Sequence, residues 1–149
     1  MKILHLQLIT LALGITLSAE KCKDKNVAAP SSAAPKATIA GAKWSLQTIN
    51  GKPFQLPEGV ENPWLMLDAK ASTISGFGGC NQLMGSLKME GDAISFPGLG
   101  STKMMCVASQ EVENRFMGAL RSTSGYKLEG DKLTLNNMGK EMATFRRSK

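Results

Sequence analysis

Between Lys43 and Lys149 apolar and polar side chains alternate with period two in several short runs. Trp44, Leu46 and Thr48 fall on one face. Leu83, Gly85, Leu87 and Met89 share another, with Met84, Ser86 and Lys88 opposite. Ile94 with Phe96, Tyr126 with Leu128, Leu133 with Leu135, and Ala143 with Phe145 repeat the pattern. Successive side chains of a strand point to opposite faces, so each run predicts a strand with one buried side. Trp64 to Asp68 and Ser72 to Phe77 add two more.

Turn residues separate these runs. Asn50-Gly51 is a two-residue hairpin signal, because both residues tolerate positive φ. Glu90-Gly91-Asp92, Glu129-Gly130-Asp131 and Asn136 to Lys140 with Gly139 mark three further hairpins. One stretch has helical period instead. Val112, Phe116, Ala119 and Leu120 share a face. Ser109 is placed to cap that helix, Glu111 and Glu113 suit its N-terminal dipole, and Glu111 with Arg115 is an i,i+4 pair. The expected fold is mainly β, with about eight antiparallel strands and one α-helix inserted before the last three. Many short strands at regular spacing suggest a sandwich or a barrel, and closure into a barrel would remove exposed edges.

The N-terminus reads differently. Lys2 precedes the apolar run Ile3 to Leu17, which is shorter than the ~20 residues a spanning helix needs. Residues 1–19 have the form of a secretory signal peptide, with Thr16/Ser18 or Leu17/Ala19 flanking the cleavage point. Residues 20–42 are rich in Lys, Ala, Ser and Pro and read as a flexible tether. The domain is then 43–149. Cys22 is a candidate for lipid attachment, although Ala19-Glu20-Lys21 is a poor box for it. The cysteine count supports the idea: Cys22, Cys80 and Cys106 are three, and an odd cysteine in an exported chain needs some use.

Charge changes little. The net charge is +6, and Lys21, Lys23, Lys25 and Lys36 of the tether carry much of the excess. With an export signal this argues against nucleic acid, and a solvated arm or contact with anionic lipid is the better use of it.

The chemistry on offer is narrow. His5, the single histidine, falls in the signal segment, so Cys-His and common zinc sites have no histidine in the mature chain. Gly76-Phe77-Gly78-Gly79-Cys80-Asn81 lacks the third glycine and the βαβ context of a dinucleotide site. Gly78, Gly79 and Asn81 therefore read as a structural motif, a tight bend whose backbone groups Asn81 could satisfy. Cys80 and Cys106 have three readings: a disulfide, two free buried thiols, or a soft-metal (copper) site with Met104 and Met105. Ser124-x-x-Lys127 matches a nucleophile motif by letters but lies in a strand. Glu58 and Glu61 sit in a Pro/Gly loop with nothing to make them a pair. No catalytic residue, cofactor site or metal site is assigned. The methionines read mostly as core filling, with Met84, Met104, Met105, Met138 and Met142 as alternatives for an adaptable surface or oxidation targets.

In order along the chain, Trp44-Ser45-Leu46, Ile49-Asn50-Gly51-Lys52-Pro53, Gly76 to Asn81, Gly85, Ser101 to Cys106, Glu113, Phe116, Leu120 and Leu133-Thr134-Leu135 resemble the META (HslJ-like) domain family. The resemblance spans nearly all of 43–149. It implies a compact lipocalin-like β-barrel with a helix and an envelope location, periplasmic or lipid-anchored at the outer membrane. It also implies a link to heat stress and to tolerance of antibiotics such as novobiocin. It carries no catalytic residues, and Cys80 and Cys106 match family positions. The function expected is therefore non-enzymatic: a monomeric envelope domain that binds or stabilises something during stress, its partner an unknown envelope protein or small ligand. The alternative is a periplasmic barrel that binds a small ligand or copper.

Overall fold

The computed structural model describes residues 39–148. Residues 1–38, on which the expected signal peptide, Cys22 and most of the expected tether fall, lie outside the described residues. Ten strands and one helix follow one another as β1 (Lys43–Ile49), β2 (Trp64–Asp68), β3 (Thr73–Phe77), β4 (Gln82–Ser86), β5 (Lys88–Glu90), β6 (Ala93–Ser95), β7 (Gly100–Ser101), α1 (Gln110–Arg121), β8 (Gly125–Glu129), β9 (Lys132–Asn137) and β10 (Lys140–Arg147). All ten form one antiparallel sheet in the order β5-β6-β8-β9-β10-β1-β2-β3-β4-β7. The mainly-β class and the helix before the last three strands agree with the sequence pattern. The strand count is ten rather than about eight. The continuous alternation from Leu83 to Met89 is cut into β4 and β5, and the short β7 had no periodic signal.

That cut shapes the sheet. β4 pairs with β3 near one edge, whereas β5 pairs with β6 at the other. A single residue, Leu87, joins them, and one residue spans only ~3.8 Å between consecutive Cα atoms. The opposite edges must therefore approach each other, so the sheet is strongly curled into a half-barrel. Residues 96–99 make the same crossing from β6 to β7, and the Ser86 amide donates to the Pro97 carbonyl at 2.9 Å across the corner.

The concave face holds the core. Trp44, Leu46, Ile49, Leu65, Leu67, Leu133, Leu135 and Phe145 are buried there against Phe116 and Leu120 of α1. The Phe116 and Phe145 rings lie 5.9 Å apart at 53°, a tilted aromatic contact that fixes the helix on β10. Thr48 does not share the inward face of β1. A bulge between Leu46 and Thr48 in the pairing with β10 shifts the phase, so Ile49 is buried instead. The Asn50-Gly51 turn forms with both residues at positive φ and with Ile49 and Lys52 exchanging backbone bonds, but an irregular loop rather than a strand follows it.

The folded part begins before Lys43. Ile39 is buried, and its carbonyl accepts the Trp44 indole N–H at 2.8 Å. The Ile39 side chain joins the core, and the Gly41 amide donates to the Leu67 carbonyl at 2.9 Å, so residues 39–42 pack as part of the domain.

Ser109 occupies the helix N-cap position, but its side chain makes no capping bond. Its backbone is already near helical values (φ −116, ψ −3), not the extended geometry from which a cap hydroxyl reaches the first amides. The chain enters the helix through a preceding turn, in which the Ser109 and Gln110 amides donate to the Cys106 carbonyl. Glu111 and Arg115 form no ion pair. At the other end the Thr123 hydroxyl donates to the Ala119 carbonyl at 2.9 Å.

Tyr126, the single tyrosine of the chain, stands on β8. Burial, with the Asp92 carboxylate as a second contribution, pushes its phenol above the usual value near 10. The folded state thus holds the phenolic proton longer than the unfolded chain. The corresponding stability is present below the unfolded pKa and is lost as pH rises through the folded one. Phenolate absorbance should rise at a higher pH in native than in urea-unfolded protein, and Asp92→Asn should bring the native midpoint part-way down. Coincident native and unfolded titrations would contradict this environment.

Candidate functional site

The glycine-rich turn after β3, the loop after β7 and the first turns of α1 meet at one place. Asn81 is buried (2% exposed) at its centre. Its side-chain oxygen accepts the Met104 amide at 2.7 Å and the Thr102 hydroxyl at 3.0 Å. Its side-chain nitrogen donates to the Met104 carbonyl at 3.3 Å and to Glu113 Oε1 at 2.9 Å. Its own backbone amide donates to Glu113 Oε2 at 2.7 Å. One asparagine therefore ties the β7 loop to the helix and uses all its amide groups to do so.

Glu113 is the surprise of this site. It is 3% exposed, and both carboxylate oxygens point at Asn81. Sequence reasoning placed it in the first turn as a residue that suits the helix dipole. A stronger signal was present: Glu113 lies three residues before Phe116 and seven before Leu120, so it falls on the apolar stripe. A carboxylate on that stripe must find donors or remain in water.

The glycines make the approach possible. A Cβ at Gly78 would stand 2.8 Å from the Glu113 side chain, too close for any other residue. Gly79 has φ +105, which lets the chain turn back so that the Gly78 amide donates to the Asn81 carbonyl at 2.8 Å. Gly78, Gly79 and Asn81 are thus brought together as a bend that accommodates a buried acid.

Cys80 and Cys106 form a disulfide, with Cα atoms 5.8 Å apart and a sequence separation of 26. It runs beside the Asn81 bonds and closes the same two loops. Among the three readings of this pair, the structure adopts the bridge, so these sulfurs are not available as thiolate ligands in this form. Among the described residues no group of three or more His, Cys, Asp or Glu is arranged to hold a metal ion. Outside the bridge an open depression of about 290 Å³ is lined by Asn81, Thr102, Met104, Met105, Glu113 and Asn114.

The remaining sequence candidates are not drawn into this site. The Ser124 hydroxyl is bonded to Asn137, while Lys127 pairs with Glu129 at 2.7 Å, so neither engages the other. The hydrogen bond and charge of Lys127 hold the Glu129 carboxyl below the ordinary carboxylate range. Glu61 pairs with Lys43 at 3.0 Å. No helix among the described residues is long and apolar enough to cross a membrane.

The model of the META domain matches residues 37–149. The chain belongs to the META domain family. The match begins two residues before Ile39, the first described residue of the META domain. Solved structures resemble its fold. A protein from Burkholderia xenovorans determined by NMR is 27% identical, with a TM-score of 0.60, over 86% of this chain and 97% of that one. A second NMR structure is 25% identical, with a TM-score of 0.58, over 74% and 92%. A crystal structure of a DUF4847 family protein from Bacteroides vulgatus ATCC 8482 is 18% identical, with a TM-score of 0.56, over 76% and 96%, and shares the fold alone. No curated protein matches the chain.

Proposed function

We propose that this META domain is an exported, non-enzymatic envelope module that binds or stabilises a partner under heat or antibiotic stress. In this reading it is a monomeric, lipocalin-like barrel used as a rigid scaffold. A signal peptide exports it, and a tether beginning near Cys22 carries it in the periplasm or at the outer membrane. The observation that carries the reading is the Cys80–Cys106 bridge across the Asn81–Glu113 bonds. A structural disulfide belongs to an oxidising compartment. The buried acid beside it has both oxygens engaged, which suits holding a loop in place rather than moving a proton to a substrate. Large side chains fill the concave face, which favours a scaffold over a container for a small ligand.

The test is the intact mass of the protein recovered separately from membranes and from the soluble envelope. We expect loss of residues 1–19 or of the residues before Cys22, a deficit of two hydrogens for the disulfide, and a lipid adduct in the membrane fraction if Cys22 is acylated. A full-length, reduced chain confined to the cytoplasm would overturn the proposal. A deletion strain unchanged across heat and antibiotic challenge would remove the stress role while leaving the location standing.

A further inference from the structure

The exposed large apolar residues are almost all methionine. Among the described residues they are Met66, Met84, Met104, Met105, Val107 and Met138. Every described Leu, Ile, Phe and Trp is buried or half-buried. If the surface were merely apolar, leucine and isoleucine should appear on it as well. What distinguishes methionine from them is its thioether sulfur.

Local structure does not ask for methionine at these places. Met138 sits at φ +49 in the turn between β9 and β10, a position that favours Asn, Asp or Gly. Met66 and Met84 lie on the outer face of β2 and β4, each opposite Ser75 of β3, where β-branched residues fit better. Met104 is held by its backbone, through Asn81, while its side chain is 63% exposed, and Met105 beside it is 89% exposed. Met138 stands apart from the rest: its turn joins β9 to β10, and in the sheet β10 is separated from β4 by three strands. A docking surface would be contiguous; a set of reactive sulfurs need not be.

We propose that Met66, Met84, Met104, Met105 and Met138 are sites of reversible oxidation, by which the domain consumes hypochlorous acid or hydrogen peroxide. With hydrogen peroxide a sulfur lone pair attacks one peroxide oxygen, an S–O bond forms as the O–O bond breaks, and the leaving hydroxide takes up the transferred hydroxyl's proton as water. With hypochlorous acid the sulfur attacks chlorine and hydroxide leaves; water then displaces chloride from the chlorosulfonium, so the net products are the sulfoxide, chloride and a proton. In both cases the sulfur is oxidised by two electrons. A dithiol acting through a methionine sulfoxide reductase reverses the step. The sulfoxide oxygen leaves as water and the dithiol becomes a disulfide. The fold is built to survive this. Each of the five sulfurs lies outside the core, whereas Met117, 5% exposed on α1, is protected within it. The proposal does not depend on the binding role above, because sulfur oxidation needs only exposure to the oxidant.

The experiment treats the purified chain with limiting hypochlorous acid, followed by peptide mapping and circular dichroism. Met104, Met105 and Met138 (97% exposed) should oxidise first, Met84 (56%) and Met66 (37%) next, and Met117 at least about tenfold more slowly, since it waits on local opening. The chain should gain five oxygen atoms at these positions with an unchanged β spectrum, and reductases for both sulfoxide epimers, supplied with a dithiol, should remove them. Loss of the fold as these five react, or Met117 reacting in step with them, overturns the proposal. A variant with all five changed to leucine keeps the apolar area and removes the sulfur. A deletion strain carrying it should survive hypochlorous acid no better than the deletion itself. Survival equal to that given by the native chain would refute the oxidant role. If the native chain does not protect either, the proposal also fails. The heat and antibiotic challenges report separately on the binding role.

Discussion

Asn81→Ala should destabilise the domain by roughly 2–4 kcal/mol, read as a lower urea midpoint at unchanged slope. The substitution removes four side-chain hydrogen bonds at once. It leaves the Met104 amide and carbonyl without their partner and takes one donor from a buried carboxylate. Losses at charged groups exceed those at neutral ones, so the Glu113 contact should dominate. Glu113→Gln offers a contrast. The glutamine amide presents one oxygen and one NH2 group to two donors, so one of the two Asn81 bonds turns into a donor facing a donor. An isosteric change should therefore still cost about 1–3 kcal/mol. If Asn81→Ala proves neutral, water replaces the whole set and the site is not a lock.

Removing the Cys80–Cys106 bridge, by Cys80→Ala with Cys106→Ala, should cost about 3.5 kcal/mol. The chain-entropy relation gives that value for a loop of this length. For a domain of this size the midpoint temperature should fall by roughly 15 °C. The far-ultraviolet spectrum at room temperature should not change, because the strands flanking the bridge keep their pairing and Asn81 still holds the loop. Scanning calorimetry of the double variant beside the native protein checks both statements. Equal midpoints would mean that the bridge adds nothing beyond the Asn81 bonds.

The sequence reveals most of what is local. The Asn50-Gly51 and Gly130 turns, the period-two strands and the Phe116 face of the helix all depend on residues a few positions apart, and all form. What fails to show depends on a distant partner. The bulge that turns Thr48 outward is set by pairing with β10, some ninety residues later. Leu87 continues a clean alternation and gives no hint that the chain changes partner there, because both of its neighbours are ordinary strand residues. Ser109 looks like a cap, yet the turn from Cys106 already supplies the helix entry. Ile39 looks like tether because a single apolar residue has no period, and its place in the core shows only once the Trp44 indole and the Leu67 carbonyl hold the segment on the sheet.

The candidate site was half legible for the same reason. Gly78, Gly79, Cys80 and Asn81 stood out as a group, and the bend they form follows from their own backbone freedom. Their counterpart did not, because nothing near position 81 announces an acid 32 residues away. Glu113 was visible as an acid on an apolar stripe, but its partner becomes clear only once α1 packs behind the sheet.

Asn81 and Glu113 act as one unit. The direct measurement is a double-mutant cycle by urea unfolding on the native chain, Asn81→Ala, Glu113→Ala and the pair. The double variant should cost little more than the worse single one, with a coupling of about 2 kcal/mol. Two losses that simply add would contradict it.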